Sequence, residues 1–469
     1  MPTFTKRTRL AVSADTAFAW HERPGAFERL LPPWDRVRIA SMRGGIAPGA
    51  RAELDVRLAP GIWKRWVAEH RDFEPGRLFR DVQISGPFAS WDHHHTFEPI
   101  DAFSSVLHDR IDYQPPGGSL GRLLGAGFIQ RKLERTFAFR HAVTAADLEH
   151  HARYASCPHM RVLVSGSSGM IGRATCALLT TGGHTIARLV RPPRMQKEGE
   201  ILWNPDQSEI DINAVAAFKP DAVLHLAGES IVGRWNAQKL ARVRASRLSG
   251  TSLLARTAAA LAQPPAAFLS ASGTSIYGHT GETRIDEAGA HGRGFLAELA
   301  HDWEAATSPA REAGIRSVQL RIGWVLTPQG GALGEILPFA HLGLSAIIGD
   351  GRPYIPWISL DDCAATIHHA LANNSIFGPV NLCAANSVSN AEFMRTLGSV
   401  LHRPVLLRCP AWAARMAFGQ LADESLLSGQ NVRPRVLEES GFVFRHPHLH
   451  EALAHVLGKS ANGMAPSTR

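Results

Sequence analysis

The chain has 469 residues, of which 45% are hydrophobic and 20% charged. These values exclude a disordered chain, and the length predicts two or three domains. The formal net charge is +8, but the basic residues are interleaved with acidic ones and form no run or stripe, so no nucleic-acid partner is expected.

Neither a secretion signal nor a disulfide framework is expected. Segment 1–18 has no signal-peptide core, and no later stretch reaches about 18 uninterrupted apolar residues. We therefore expect a cytoplasmic protein without a membrane span. The five cysteines are widely spaced and form no C-x-x-C pair, which argues against disulfides and structural zinc.

Residues 1–150 have the pattern of a mainly β domain. Alternating segments such as 51–58 and 104–113 are separated by Pro/Gly turns, which predicts short strands. A helical pattern that includes Leu124, Phe128 and Leu133 closes this region, so one long helix should pack on the sheet. Periodicity is lost over residues 151–159, where a linker is predicted.

A histidine triplet lies within this β region. Neutral imidazoles bind zinc or copper, and His93, His94 and His95 are consecutive. On a strand His93 and His95 face one way and His94 the other, so one face of that strand offers at most two ligands. We expect a cavity or sheet-surface role for the triplet and no metal site.

From Arg161 onward the pattern changes to buried strands that alternate with amphipathic helices. This rhythm predicts an α/β domain with a doubly wound parallel sheet over residues 160–400. A C-terminal lobe is expected at residues 401–457 and a frayed tail at 458–469. The strand candidates are 161–165, 185–190, 222–226, 267–271 and 317–321.

A glycine-rich segment follows the first of these strands and precedes a helical pattern. Gly166 would allow the tight turn, Gly169 would let the backbone approach a pyrophosphate, and Gly172 would let the helix pack closely on the strand. This position makes a dinucleotide site a stronger interpretation than a plain glycine turn. The candidate cofactor-binding residues here are Gly166, Ser167, Ser168, Gly169, Met170, Ile171 and Gly172.

The second strand indicates which dinucleotide binds. It ends in Arg191, with Arg194 nearby and no acid before Glu198. Sites specific for NAD usually carry Asp or Glu here for the ribose 2′-hydroxyl, whereas Arg suits a 2′-phosphate. NADP(H) is therefore expected in preference to NAD(H), unless Arg191 is only a solvated loop charge. Another predicted strand is followed by Leu226, Ala227 and Gly228. The small side chains in this segment would leave room for the cofactor ribose.

Several motifs together resemble the extended short-chain dehydrogenase/reductases, and within them the uncharacterised "epimerase family" oxidoreductases. The resemblance implies a Rossmann domain with a small C-terminal α/β substrate lobe. It is carried by the glycine turn and by segments 226–228 (LAG), 270–278 (SASGTSIYG), 295–304, 357–362, 378–382, 390–393 and 422–429.

The first 150 residues resemble a second family, the START-like or polyketide cyclase/dehydrase superfamily. Segments 27–34 (FERLLPPW), 79–81 (FRD) and 86–93 (GPFASWDH) carry this resemblance, together with the closing helix. It implies an α+β helix-grip fold, in which a sheet wraps around a long helix, and a hydrophobic or lipid-like small-molecule ligand.

The usual catalytic pair of short-chain reductases is absent. Those enzymes use Tyr-x-x-x-Lys, but no tyrosine here has Lys four residues later, and no Lys occurs from 240 to 458. One hypothesis is an NADP(H)-dependent oxidoreductase or epimerase-like enzyme, with Ser272, Thr274 and Tyr277 as the candidate catalytic residues. The alternatives are an NADP(H)-responsive binding protein without turnover and a scaffold that the cofactor only stabilises.

Overall fold

A computed structural model describes residues 1–193 and 197–459, with the side chains of 118–124 left out. Arg194, the Leu124 side chain and most of the expected C-terminal tail therefore lie outside the described residues. The chain divides into two compact units, Met1–Pro158 with Ala177–Gly183, and His159–Cys176 with His184–Arg469.

The N-terminal unit is a seven-stranded antiparallel sheet with one long helix, as the α+β prediction requires. The strand order is β1-β7-β6-β5-β4-β3-β2. Its elements are β1 (Thr3–Leu10), α1 (Ala14–Glu22), α2 (Ala26–Arg29), β2 (Val37–Arg43), β3 (Arg51–Ala59), β4 (Ile62–Glu74), β5 (Leu78–Ser85), β6 (Ser90–Asp101), β7 (Ser104–Gln114) and α3 (Gly118–Arg153).

Alternation along β6 and β7 builds the inner face of this sheet. In β6 every second residue from Trp91 to Phe97 is buried, as the two-residue period of a strand requires. Phe4, Trp91, Ile111 and Phe137 form one apolar cluster, which joins the sheet to α3. Two histidines therefore occupy buried positions between aromatic residues of the same face.

The second unit contains the doubly wound sheet. Its strand order is β11-β10-β9-β8-β12-β13-β15-β20, and all neighbours are parallel except β10 and β11. Its first elements are β8 (Arg161–Ser165), α4 (Met170–Thr181), β9 (Thr185–Val190), β10 (Glu200–Asn204), β11 (Glu209–Ile210), α5 (Ile212–Phe218), β12 (Ala222–His225), α6 (Ala237–Ala260), β13 (Ala267–Gly273), a 3-10 turn (Thr274–Tyr277), β14 (Arg284–Ile285), α7 (Phe295–Ala305), α8 (Ser308–Glu312) and β15 (Arg316–Ile322).

The remaining elements of this unit form the last strand of the sheet and a C-terminal lobe. Leu333, Phe393, Leu397 and Leu453 lie in the apolar cluster of that lobe. The elements are β16 (Trp324–Leu326), α9 (Gly331–His341), β17 (Ala346–Ile348), β18 (Tyr354–Ile355), β19 (Trp357–Ser359), α10 (Leu360–Ala372), β20 (Gly378–Leu382), β21 (Val388–Ser389), α11 (Asn390–Leu401), β22 (Leu407–Cys409), α12 (Ala411–Phe418), a π turn (Ala422–Leu426), β23 (Asn431–Val432), α13 (Arg435–Glu439) and α14 (Leu449–Leu457).

The five strand candidates of the second unit all form strands, which confirms the fold class. Two details differ from the sequence-based expectations. Strand β12 ends at His225, one residue earlier than expected, and helix α3 runs to Arg153, into the expected linker. Strands β10, β11 and β20 extend the sheet beyond the five candidates. The domain boundaries themselves stay predictions.

Candidate functional site

The glycine-rich turn joins β8 to α4 at the carboxyl edge of the parallel sheet. Gly166 has a φ of +73°, and a Cβ there would lie 2.6 Å from the carbonyl carbon of Leu226. A Cβ on Gly172 would lie 2.2 Å from the carbonyl oxygen of Gly166. Such distances admit only glycine, so both residues are needed for the turn itself.

Gly169 differs from these two glycines because space is open beside it. A Cβ there would meet one atom within 4 Å, the Gly166 oxygen at 3.3 Å, and the residue is exposed. Helix α4 begins directly after it at Met170, so unpaired N–H groups and the positive end of the helix dipole face this space. The arrangement fits a pyrophosphate.

Arg191 follows the last residue of β9 and is exposed. Strands β8 and β9 are parallel neighbours, with Ser165 opposite Leu189. Arg191 therefore lies just past the edge of the sheet on the strand next to the glycine turn, where an adenosine ribose would extend.

The loop after β12 contacts a further cation at this edge, Arg247 of α6. The guanidinium of Arg247 on α6 donates to the carbonyl oxygens of Glu229 and Val243, at 2.9 and 3.2 Å. A Cβ on Gly228 would lie 3.5 Å from it, and burial lowers the pKa of Arg247 to about 10. The guanidinium also lies over the ring of Trp303, 4.8 Å from its centroid, a contact that residue spacing does not reveal.

A neutral histidine lies beneath the turn. His225 ends β12, and its Nδ1 is 2.5 Å from Ser165 Oγ at the end of β8. Burial, with a smaller contribution from Arg247, lowers the pKa of His225 to about 3. The pair links the two strands whose ends support the turn.

Two of the candidate catalytic residues belong to one buried polar network. The Tyr277 hydroxyl donates to Asn381 Oδ1 and accepts from Arg321 Nη1, each at 2.8 Å. Ser272 Oγ donates to Glu304 Oε1 at 2.8 Å, and Arg321 forms a two-pronged ion pair with Glu304 at 2.8 and 2.9 Å. Burial raises the pKa of Tyr277 to about 12. The network holds both hydroxyls in fixed hydrogen bonds, and their catalytic role stays a prediction.

Thr274 and its neighbour Ser275 occupy the 3-10 turn after β13. Thr274 is buried, whereas Ser275 is half-buried and lines a cleft of about 250 Å³. Ser275 is not among the candidates predicted from the sequence, because segment 270–278 carries five hydroxyl side chains and spacing alone does not show which one faces a cleft.

The same cleft is bounded by the start of α7. The carboxylate of Glu424 accepts from the backbone N–H groups of Phe295 and Leu296, at 2.9 and 3.2 Å. Helix α7 itself contains neither Tyr nor Lys. His279, Arg293 and Ser428 also line this cleft and supply polar groups at its wall.

A larger cavity of about 530 Å³ lies elsewhere in this unit. Its lining includes Arg316 and Gly378, the first residues of β15 and β20. Parallel strands carry nucleotide sites at their carboxyl ends, so the larger cavity is at the wrong edge for the cofactor.

Among the described helices, none has the length and apolar character needed to cross a bilayer.

Family models match three segments of the chain. Residues 162–383 match the NAD dependent epimerase/dehydratase family, and residues 10–140 match the polyketide cyclase/dehydrase and lipid transport family. Residues 409–456 match a domain of unknown function. These matches confirm both resemblances drawn from the sequence.

Similar proteins cover the two units differently. An epimerase family protein of Mycobacterium tuberculosis is 41% identical over 295 residues, which are 63% of this chain and 96% of that protein. The structure of a human epimerase family protein with NADPH is 34% identical, with a TM-score of 0.58, and covers 64% of this chain and 99% of that one.

One solved structure matches both units. The nucleoside-diphosphate sugar epimerase from Corynebacterium glutamicum is 29% identical to this chain, with a TM-score of 0.78. The match covers 97% of this chain and 90% of that one. The fusion of the two domains is therefore present in that protein as well.

Proposed function

This chain belongs to the epimerase family, and from that premise we propose that it is an NADP(H)-dependent oxidoreductase or epimerase-like enzyme. The observation that carries the proposal is the exposed backbone at Gly169, which lies between two positions of the turn that admit only glycine, Gly166 and Gly172. The human relative whose structure contains NADPH, 34% identical, supports a nicotinamide dinucleotide as the cofactor.

The chain offers groups for each part of NADP(H). N–H groups at the start of α4 would receive the pyrophosphate, and Arg191 would pair with the 2′-phosphate. Leu226, Ala227 and Gly228 would leave room for the ribose. When bound, the cofactor supplies or accepts a hydride, while the residues of the cleft around Ser275 would orient the substrate.

A binding titration tests the cofactor part of the proposal. The wild-type chain should bind NADPH at least tenfold more tightly than NADH, because Arg191 makes charge-assisted hydrogen bonds to the extra phosphate. Arg191→Ala should remove this preference, whereas Arg256→Ala, at an exposed position on α6, should keep it. Equal affinity of the wild type for both dinucleotides would contradict the proposal.

The N-terminal unit supports an apolar substrate class. Its family is described by polyketide cyclisation, dehydration and lipid transport. We expect polyketide-like or lipid-like carbonyl compounds to raise NADPH oxidation above background. Nucleoside-diphosphate sugars form a second arm of the screen, because the similar protein of Corynebacterium glutamicum carries that name. If the enzyme turns over only sugar nucleotides, they replace the apolar compounds as the proposed substrate class.

A second candidate function is an NADP(H)-responsive binding protein without turnover. It is favoured by the absence of Tyr and Lys from α7 and by the fixed hydrogen bonds of the Tyr277 hydroxyl. Turnover of any compound in the substrate screen would exclude this second function, and Tyr277→Phe would then test the proton donor. A loss of turnover with cofactor binding retained supports the enzyme with Tyr277 as proton donor; unchanged turnover removes Tyr277 from that role.

A further inference from the structure

Three strands of the N-terminal sheet bring acidic and histidine side chains to one buried face. On neighbouring strands Asp81 of β5 lies opposite His93 of β6, and His95 of β6 lies opposite Asp109 of β7. His93, His95 and Asp109 are buried, and the Asp81 side chain is 14% exposed. The alternation along β6 predicts two possible ligands on this face, His93 and His95. The strand register places one carboxylate on each side of them, Asp81 from β5 and Asp109 from β7.

The distances around Asp81 are those of ligands that share one ion. Asp81 Oδ2 lies 3.3 Å from His93 Nδ1 and 3.4 Å from His95 Nε2. One donor atom from each of the three residues lies within 4.8 Å of the other two. Because zinc–nitrogen and zinc–oxygen bonds are about 2.0–2.1 Å long, the edges of a tetrahedral site are about 3.3–3.4 Å.

Asp109 lies on the other side of both imidazole rings. Its Oδ1 is 2.7 Å from His95 Nδ1 and 3.4 Å from His93 Nε2, so it faces the nitrogens that point away from Asp81. The first distance is too short for two ligands of one ion. Histidines that bind metals usually direct their second nitrogen at a carboxylate, which fixes the ring and its tautomer. Asp109 is therefore a positioning residue.

Asp109 is itself held in place. His141 Nε2 on α3 donates to Asp109 Oδ2 at 2.9 Å, and the Thr8 hydroxyl donates to His141 Nδ1 at 2.8 Å. Two other atoms of the cluster, His93 Nε2 and Asp109 Oδ1, are buried and lack an aligned hydrogen bond within the described residues. Buried polar atoms normally have such a partner, and reorientation of the rings by a ligand would supply it.

We propose that Asp81, His93 and His95 bind one divalent transition-metal ion, with Zn²⁺ preferred over Mg²⁺ and Ca²⁺. Two imidazoles and one carboxylate suit Zn²⁺, whereas Mg²⁺ and Ca²⁺ require oxygen ligands. Three protein ligands leave a coordination position open for water or a small molecule, as in catalytic zinc sites. The site lies in the N-terminal unit and does not depend on the cofactor proposal.

The test titrates the untagged full-length chain, stripped with a chelator, against Zn²⁺ in competition with a chromophoric chelator. One equivalent should bind with submicromolar affinity. His95→Gln and Asp81→Asn should weaken that binding at least 100-fold. The matched control is His94→Gln, because His94 lies between the two ligands in sequence but on the opposite face, and it should bind like the wild type.

Two further measurements keep the result interpretable if a ligand variant does not fold. Asp109→Asn retains all three ligands and should weaken Zn²⁺ binding 10- to 100-fold, with Co²⁺ absorption reporting the altered geometry. Urea unfolding of each variant, followed by tryptophan fluorescence, reports whether the N-terminal unit is folded, because Trp91 lies beside His93 in that unit. Absence of a stoichiometric site in the wild type overturns the proposal, as does equal loss of binding in His94→Gln.

Discussion

The turn between β8 and α4 and the polar face of β5, β6 and β7 are built in opposite ways. The turn consists of backbone, and its two tightest positions leave no room for a Cβ. The β-sheet cluster consists of side chains from three strands whose register brings them together. A backbone site is encoded by residues adjacent in the sequence, whereas a side-chain site requires the fold, so only the first is readable from spacing.

The largest expected effect comes from substitutions in the glycine-rich turn. They test whether each glycine is needed for the backbone conformation of the turn or for the approach of the pyrophosphate. Gly172→Ala should lower the free energy of unfolding by at least about 4 kcal/mol and abolish NADPH binding, because its Cβ would overlap the Gly166 oxygen. Gly169→Ala should lose much less stability than Gly172→Ala, because its Cβ would meet a single atom at 3.3 Å, but it should bind NADPH at least tenfold more weakly.

Denaturant unfolding and NADPH titration check this pair, with Gly127→Ala in α3 as a control that meets no atom within 4 Å. If Gly169→Ala binds NADPH normally, the open space beside this residue is not the pyrophosphate site.

The next effect concerns the buried ion pair between Arg321 and Glu304. Arg321→Met should lower the free energy of unfolding by about 3 kcal/mol, because it leaves the Glu304 carboxylate without its partner. Arg311→Met, at an exposed position on α8, should change it by less than about 0.5 kcal/mol. Urea unfolding of the wild type and the two variants measures both changes. If the two variants lose similar amounts of stability, the ion pair is not the cause of the loss in Arg321→Met.

Acid sensitivity should come in part from His225. Its pKa is about 3 in the folded chain and about 6.5 in an unfolded one, so below pH 6.5 the unfolded chain binds a proton that the folded chain does not. The contribution of His225 to the free energy of unfolding is therefore fully present above pH 6.5. It falls by roughly 1.4 kcal/mol per pH unit toward pH 3.

His225→Gln should remove this contribution to the slope between pH 6.5 and 5, whatever its effect at neutral pH. His448→Gln, at an exposed position, should leave the slope unchanged. Urea unfolding across this range measures the slopes, and a wild-type slope retained in His225→Gln would show that this histidine titrates in the folded chain.

The smallest effect expected is that of Tyr277→Phe on stability. Loss of the hydroxyl leaves Asn381 Oδ1 without this donor, while Arg321 keeps its bonds to Glu304 and to the Glu287 carbonyl. A cost of about 1 kcal/mol is expected, with NADPH affinity unchanged. A change of more than tenfold in NADPH affinity would place Tyr277 at the cofactor.

Strand positions could be predicted where burial dominates the sequence. Strands β8 and β9 are mostly apolar and match their predicted bounds. Strand β20 was missed because it begins with Gly-Pro and contains Asn381, whose side chain is buried in the polar network around Tyr277. Short strands with a polar residue of this kind lack the apolar pattern on which such a prediction depends.

Side-chain sites were predictable only within one element. The alternation along β6 correctly separates His93 and His95 from His94. Asp81 could not be joined to them, because the sequence does not show which residue of β5 lies opposite His93 in the β5–β6 pair. The position of Arg247 beside Gly228 was likewise set by the packing of α6 over many residues.

A crystal structure of the full chain with NADPH tests the central claim most directly. The account predicts the pyrophosphate against the exposed backbone of Gly169 and the first N–H groups of α4, with the 2′-phosphate paired to Arg191. A dinucleotide bound away from this turn, or a 2′-phosphate that does not contact Arg191, would contradict it.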